Sequence, residues 1–96
     1  MSKESDVEKY LHSEIAKLGG TTRKWSSPNY VGVPDRIIIV NGHIEFTEVK
    51  TKIGKLSSMQ EREIKRLRDH GCKVTVIYGK KGVDLYVEEL VKRVSE

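Results

Sequence analysis

The sequence predicts an α/β domain with a central mixed β-sheet flanked by helices, and three observations carry this prediction. Residues 36–40 are β-branched at almost every position, and a second extended run follows the dipeptide Asn41-Gly42. Apolar residues before and after these runs recur at three- and four-residue steps, which is the spacing of amphipathic helices. A strand, a helix and a further strand follow Gly42 in that order, which favours a parallel, right-handed crossover beside an antiparallel hairpin.

The first predicted element is an amphipathic helix from about Lys3 to Leu18. Its apolar residues lie on one stripe, at Val7, Leu11, Ile15 and Leu18. Glu4, Glu8 and His12 share a neighbouring stripe. The residues alone favour an exposed position for Glu8, because most helical glutamates contact solvent. Residues 21–33 are predicted to contain a short strand and a turn.

A β-hairpin is predicted for residues 36–50. Asn41-Gly42 is the dipeptide that best tolerates the two positive φ angles of a type I′ turn. Because hairpin strands run antiparallel, Asp35 should lie opposite the last residues of the second strand. Side-chain alternation along that strand predicts an apolar face that ends in a carboxylate and an ammonium group. The residues of this face are Ile44, Phe46, Glu48 and Lys50.

The remaining elements are a helix, a strand and a last helix. Ser57 is predicted to cap a helix that continues to Asp69, and the strand Lys73–Tyr78 should lie parallel to the strand of Glu48. Gln60, in the first turn of this helix, should then lie near the carboxyl end of that strand, where its amide can hold a water or a phosphate. The last helix is predicted from about Gly82 to Val94.

An aspartate, a glutamate and a lysine at the ends of the hairpin predict a metal-dependent nuclease site. Asp35 and Glu48 can share one small volume, and burying their charges is unfavourable without a partner. We expect the partner to be Mg²⁺ or Mn²⁺, which prefer oxygen ligands such as carboxylates and the backbone carbonyl of Val49. Lys50, on the same face as Glu48, is expected to position or deprotonate the attacking water.

Basic residues are concentrated in the middle of the chain, which has a formal net charge of +4. This distribution suits phosphate binding. Lys52 and Lys55 are the candidates nearest the predicted site, in a loop around Gly54 that permits a close backbone approach to DNA. For Arg62–Arg68 a solvated helix face is favoured instead, because charge on an exposed helix needs no ligand.

Aromatic and basic residues alternate in the segment before the hairpin, which contains Lys24, Trp25 and Tyr30. Aromatic rings in such a segment can stack on unpaired nucleic-acid bases. An alternative is equally well supported for Trp25, the single tryptophan, because this residue seldom remains wholly exposed and often anchors a core.

Length and composition exclude several other classes of protein. Ninety-six residues suffice for one domain, residues 1–96, with one modest core. No stretch reaches the apolar length of a membrane span, and the first residues lack the apolar core of a signal peptide. The single cysteine, Cys72, is expected to be a small apolar strand residue in a protein of a reducing compartment. His12, His43 and His70 lack metal-ligand spacing, so no catalytic role is assigned to them.

The chain resembles the PD-(D/E)XK nuclease superfamily and, within it, the small VRR-NUC group. The resemblance covers nearly the whole chain and rests on the motifs Gly32-Val33-Pro34-Asp35-Arg36 and Glu48-Val49-Lys50, with Gly54, Gln60 and an acidic residue, Glu8, in the first helix. It implies a restriction-endonuclease-like core and a Mg²⁺- or Mn²⁺-dependent DNA endonuclease.

The resemblance also implies roles for individual residues. Asp35, Glu48 and the carbonyl of Val49 would bind the metal, and Glu8 would reach it directly or through water. Lys24 matches a basic position of the family, and Arg36 belongs to the matching motif, so both are expected to contact DNA.

The expected partner is DNA with a branched or otherwise two-fold structure, such as a Holliday junction, bound by a homodimer. One 96-residue domain has little surface with which to orient two strands, and two-fold symmetry duplicates both site and basic surface. The VRR-NUC resemblance agrees, and implies the cytoplasm of a bacterial cell or phage-infected host. RNA is an alternative substrate. A non-catalytic DNA-binding module of the same fold is an alternative function, but the intact set of Asp35, Glu48 and Lys50 argues against it. A protein-interaction domain would need an apolar surface patch that the sequence does not obviously offer.

Overall fold

The computed structural model describes residues 3–95, in which a four-stranded sheet is flanked by three helices. The elements are α1 (Glu4–Lys17), β1 (Thr21–Lys24), β2 (Arg36–Val40), β3 (His43–Lys50), α2 (Ser58–Asp69), β4 (Val74–Tyr78) and α3 (Gly79–Val94). The strand order is β1-β2-β3-β4. β2 pairs antiparallel with β1 and β3, whereas β3 and β4 are parallel. The predicted mixed sheet with flanking helices is therefore confirmed.

The hairpin of β2 and β3 has the predicted two-residue turn. Asn41 and Gly42 have φ angles of 51° and 75°, and Val40 pairs directly with His43. Positive φ at both central positions is the mark of a type I′ turn, whose twist matches that of the strands. Because the turn is this tight, the pairing of every later residue in the two strands follows from it.

The main hydrophobic core lies between one face of the sheet and the helices α1 and α3. Its buried members come from both helices and from β2, β3 and β4: Val7, Leu11, Ile15, Ile38, Val40, Val49, Ile77, Val83, Tyr86 and Leu90. In β3 this core receives the side chain of Val49. Alternation along the strand therefore directs the side chain of Glu48 to the opposite face.

The opposite face is covered by α2 and by the segment before β2. Ile64 of α2 and Val74 of β4 are buried there, and the ring of Trp25 lies 5.1 Å from that of Phe46 in a tilted arrangement. Trp25 is half-buried. The structure thus supports the core-anchor interpretation of Trp25.

Ile44 lies on the same face of β3 as Phe46 and Glu48, as predicted, but it is mostly exposed, because the covered region of this face lies farther along the strand. The expected start of the last helix was wrong. The last helix begins at Gly79, directly after β4, and not near Gly82. No capping side chain is present at Tyr78, the residue before this helix, so the sequence contains no local signal for its start.

Cys72 is partly buried and lies just before β4, not in it. Within residues 3–95, no helix has the length and apolar character needed to cross a membrane.

Gly32 joins the segment before β2 to the first turn of α2. Its φ angle is 92°, and a Cβ atom at this position would lie 2.7 Å from the carbonyl oxygen of Met59 and 2.9 Å from the backbone nitrogen of Gln60. Only a residue without Cβ permits this approach. Gly32 therefore sets how closely the chain before Asp35 packs against α2.

We expect Gly32→Ala to destabilise the protein more than Gly71→Ala. Gly71 has a similar φ angle of 88°, but a Cβ atom there meets nothing within 4 Å. Both variants lose the glycine backbone preference, whereas only Gly32→Ala adds a clash, which should cost about 1–3 kcal/mol more. Urea denaturation of the two variants measures this difference, and equal free energies of unfolding would show that the close approach at Gly32 is not needed.

Candidate active site

The carboxyl end of β3 extends beyond the start of β2, and this offset creates the site. Arg36, the first residue of β2, pairs with Thr47, so that Glu48–Lys50 pair only with β4. Asp35 directly precedes β2 and lies beside this unpaired edge of β3, where its Oδ2 accepts a hydrogen bond of 2.8 Å from the backbone N–H of Val49. The main chain thus holds the Asp35 carboxylate next to Glu48.

Glu48 is fully buried and has partners for only one of its oxygens. Its Oε2 accepts a hydrogen bond of 3.1 Å from Gln60 Nε2 and lies 3.5 Å from Lys50 Nζ. Its Oε1 is buried and has no hydrogen-bond donor among residues 3–95. A buried carboxylate oxygen without a donor is costly, so this atom is where a ligand is expected.

Gln60 is oriented by the cap of α2. The Ser57 hydroxyl accepts a hydrogen bond of 3.1 Å from the Gln60 backbone N–H, and Gln60 Oε1 accepts one of 2.9 Å from the Ser57 backbone N–H. This reciprocal capping box leaves the Gln60 amide N–H groups directed to Glu48. This contact agrees with the prediction that Gln60 lies near the carboxyl end of β3. That prediction depended on α2 crossing over the sheet between β3 and β4.

The electrostatic environment of Glu48 disfavours its charged form. Burial first, and the nearby Asp35 carboxylate second, raise the pKa of Glu48 to about 8, although the Lys50 ammonium acts in the opposite direction. The charge of Lys50 therefore offsets only part of the cost of two carboxylates in a site with little water. A further positive charge between Asp35 and Glu48 would favour ionisation of both.

The donor set fits a hard divalent cation such as Mg²⁺ or Mn²⁺. Asp35 Oδ1 and Glu48 Oε1 are the carboxylate oxygens left without a hydrogen bond by the described residues. Within residues 3–95, no three acidic, histidine or cysteine side chains form a preassembled cluster. One or two carboxylates suffice for Mg²⁺ when a carbonyl, water and phosphate oxygens complete the shell. The contribution of the Val49 carbonyl remains a prediction.

Glu8 lies beside the site but is engaged by Arg36. Its Oε1 accepts a hydrogen bond of 3.0 Å from Arg36 Nε, and both side chains are largely buried. The exposed position that the sequence alone favoured for Glu8 is therefore wrong. Metal binding by Glu8 and DNA binding by Arg36 remain predictions. In each case the residue would have to contact the metal or the DNA in addition to its ion-pair partner.

Glu4 is a residue of this region that the sequence analysis did not select. Its pKa is raised, first because the carboxyl is partly buried and then because the Asp35 carboxylate is near, while Lys50 lowers it. Glu4 precedes Glu8 by one helical turn, so the two side chains lie on the same side of α1. The sequence stripe of Glu4, Glu8 and His12 could have identified Glu4 as a residue of the site. His12, on the same stripe, is instead hydrogen-bonded to Thr22 at 2.7 Å.

The three lysines expected to contact DNA are exposed around this site. Lys24 ends β1 and is paired with Arg36 in the sheet. Lys52 and Lys55 lie in the loop that leaves Lys50. Their positions suit phosphate contacts on either side of the carboxylates, and these contacts remain predictions.

A second buried carboxylate in β3 provides a contrast with Glu48. Glu45, on the opposite face, accepts hydrogen bonds from the Tyr86 hydroxyl and from Arg93 Nη2 at 2.6 Å through Oε1, and its Oε2 lies 2.7 Å from His43 Nε2. Both oxygens of Glu45 are thus satisfied within the protein, as structural carboxylates usually are. Glu48 departs from that rule at one oxygen, and together with the neighbouring Asp35 carboxylate this makes it the candidate ligand-binding group.

Comparisons with known proteins agree with this geometry. The family model described as the VRR-NUC domain matches residues 4–81. A protein of Acyrthosiphon pisum secondary endosymbiont phage 1 named "Putative nuclease p44" is 42% identical over 76 residues, which are 78% of this chain and 82% of that protein. A solved structure of a VRR-NUC domain superposes with a TM-score of 0.80 at 35% identity, covering 92% of this chain and 97% of the other.

We expect Glu48→Gln to raise the melting temperature in the presence of EDTA near neutral pH. Because the pKa of Glu48 is raised to about 8, folding near neutral pH requires this carboxyl to take up a proton or to stay charged beside Asp35, and an amide of the same shape avoids both costs. A gain of about 1 kcal/mol corresponds to roughly 4–8 °C for a domain of this size. Differential scanning calorimetry measures the shift.

Glu45→Gln is the matched control, because it changes a buried glutamate of the same strand whose two oxygens already have partners. This variant should melt below the wild-type protein, since it weakens the pairing of Arg93. Mn²⁺ should raise the melting temperature of the wild-type protein more than that of Glu48→Gln. A Glu48→Gln variant that melts at or below the wild-type temperature in EDTA would contradict the electrostatic description of the site.

Proposed function

This chain belongs to the VRR-NUC family of nuclease domains, and we propose that it is a metal-dependent DNA endonuclease. The observation that carries the proposal is the convergence of Asp35, Glu48 and Lys50 at the carboxyl end of β3, with one buried carboxylate oxygen left without a donor. Such a set matches hydrolysis of a phosphodiester, in which negative charge accumulates on the phosphate oxygens.

Each residue of the set has a separate task in this proposal. Asp35, held by the Val49 N–H, and Glu48, held by Gln60, present the two carboxylate oxygens that would bind Mg²⁺ or Mn²⁺. A bound cation supplies positive charge beside the phosphate and lowers the pKa of nearby water. The carbonyl of Val49 and, directly or through water, the carboxylate of Glu8 would complete the protein ligands.

Lys50 acts on the nucleophilic water. Its ammonium lies 3.5 Å from Glu48 Oε2 and is mostly shielded from solvent, so it can orient a water molecule that attacks the phosphorus while an ester oxygen leaves. Its positive charge also stabilises the charge that develops on the phosphate. Gln60 supports the site by keeping the Glu48 carboxylate in one orientation.

The DNA is expected to lie across the surface that carries the exposed lysines. Lys24, Lys52 and Lys55 would neutralise phosphates on both sides of the scissile bond, and Arg36 would contribute through its exposed edge. We further propose a homodimer that acts on branched DNA such as a Holliday junction. Support for this comes from size, because a single small domain has one site, whereas two-fold symmetry provides two sites for paired cuts.

Asp35→Ala, Glu48→Ala and Lys50→Ala should each lower cleavage by at least about a hundredfold while DNA binding persists. Removal of a ligand or of the ammonium weakens interactions that are strongest in the transition state. The assay is a cleavage panel of single-stranded, duplex, flap and four-way-junction DNA, with Mg²⁺ or Mn²⁺ against EDTA. Lys92→Ala, an exposed change on α3, is the control expected to keep wild-type rates.

Two outcomes would contradict this assignment. If any of the three site variants cleaved DNA at the wild-type rate, the substituted residue would have no catalytic role. Tight DNA binding by the wild-type protein without cleavage of any substrate, in either metal, would favour the alternative of a non-catalytic DNA-binding module with the same fold.

The affinity for DNA should fall steeply as salt is added, and Lys52→Ala or Lys55→Ala should each reduce the slope of log K against log salt by about one unit. The physical reason is that each lysine which neutralises a phosphate releases about one counterion. Titrations in EDTA over a range of salt concentrations give the slope. An unchanged slope would assign these lysines to the solvated surface.

A further inference from the structure

A groove runs along α2 on the same face of the sheet as Glu48. It consists of two neighbouring cavities of about 300 and 320 Å³ between α2 and the segment before β2. Both cavities are lined by Tyr30, Glu63 and Arg66. Each volume lies at the lower end of the range for small-molecule sites, so each cavity can hold one small ring system.

Three neighbouring residues of the groove walls expose apolar side chains. Tyr30 is 55% exposed, Val31 67% and Met59 48%, and all three line the same cavity. Clustered exposed apolar residues mark a binding surface more often than isolated ones do. Trp25, in contrast, packs against Phe46, so it forms a wall of the second cavity and leaves the Tyr30 ring as the accessible aromatic surface.

Arg62, Arg66 and Glu63 line the groove, and their net positive charge favours an anionic occupant. Arg62 and Arg66 are one helical turn apart on α2 and therefore lie on one side of it. Arg66 is 3.5 Å from Glu63. Arg62 makes no ion pair or side-chain hydrogen bond with any residue of the range 3–95. Guanidinium groups bind phosphate through two parallel hydrogen bonds and also stack on flat rings.

The groove begins beside the candidate active site. Gln60, which holds Glu48, belongs to the same helix and precedes Arg62 and Arg66 by about 3 and 9 Å along the helix axis. Gly32 packs against Met59 and Gln60, so the segment with Tyr30 is held next to this first turn. Arg62 and Arg66 lie on a different side of α2 from Gln60, so a nucleotide next to the scissile phosphate would reach the groove around the first turn of the helix.

We propose that this groove binds an unpaired nucleotide of the DNA substrate, with its base on the Tyr30 ring and its phosphates against Arg62 and Arg66. The proposal rests on the proposed function, and it adds a reason for selectivity. A paired base inside a duplex cannot expose its face to Tyr30, whereas a base at a branch point, flap or bulge can. The arginines favour a nucleic acid over an apolar surface of a second protein chain.

The test compares two DNA duplexes that differ in one unpaired base. One duplex carries 2-aminopurine as a single-base bulge and the other carries it fully paired, and binding is measured by anisotropy in EDTA. Wild-type protein should prefer the bulged duplex and quench its 2-aminopurine fluorescence. Tyr30→Ala should lose about tenfold in affinity for the bulged duplex alone, and Tyr30→Phe, which retains the ring, should keep both the preference and the quenching.

Arginine variants and two controls complete the experiment. Arg62→Ala should weaken binding of both duplexes and lower the salt slope by about one unit. Lys65→Ala is the matched control, because it removes one charge from the same helix, whereas Lys65 pairs with Asp69 outside the groove. This variant should bind both duplexes without the loss of affinity expected for Arg62→Ala. Leu85→Ala removes an exposed apolar side chain on α3, and its preference should equal that of the wild-type protein. Equal melting temperatures confirm that the folds are intact.

Three results would overturn the proposal, and they separate it from the proposed function. If Tyr30→Ala keeps the wild-type preference and quenching, the groove does not bind the unpaired base. Cleavage by the wild-type protein would still support the nuclease assignment. Loss of a dimer in Tyr30→Ala by light scattering, with equal weakening for both duplexes, would identify the groove as an interface between copies of the chain. Absence of DNA binding by the wild-type protein would reject both.

Discussion

The register between β2 and β3 is the constraint on which the rest of the structure depends. A two-residue turn at Asn41-Gly42 fixes which residues pair, so that the first residue of β2, Arg36, lies opposite Thr47. Three residues of β3 then extend past their neighbour, and Asp35 lies beside the backbone of Val49. A slip of one residue would turn Glu48 into the core of α1 and α3 and remove the site.

Two buried glutamates of β3 show how the same residue type can have different consequences. Glu45 has a partner for each oxygen and joins β3 to α3 and the hairpin. Glu48 has partners for one oxygen only, and its pKa is raised to about 8 because burial and Asp35 disfavour its charge. The unfavourable environment persists because the sheet and the capped first turn of α2 hold the carboxylate in position.

The two faces of the sheet are packed to different depths, and this difference separates stability from binding. The face under α1 and α3 contains nearly all of the large buried apolar residues. The other face is covered by one helix and one irregular segment, so it retains open cavities beside α2. Cavities next to a carboxylate site and bordered by arginines suit a charged ligand, whereas a second thick core would have excluded one.

The sequence by itself determined the elements whose signals are local. The turn dipeptide, the Ser57 cap and the parallel crossover specified the hairpin, α2 and β4, and through them the approach of Asp35, Glu48 and Gln60. Only the tertiary structure decided that Trp25 is packed while Tyr30 is exposed, that Ile44 lies outside the covered part of its face, and that Arg36 engages Glu8. The physical reason is that exposure and ion pairing depend on which helix covers each part of the sheet, and residues distant in the chain set that packing.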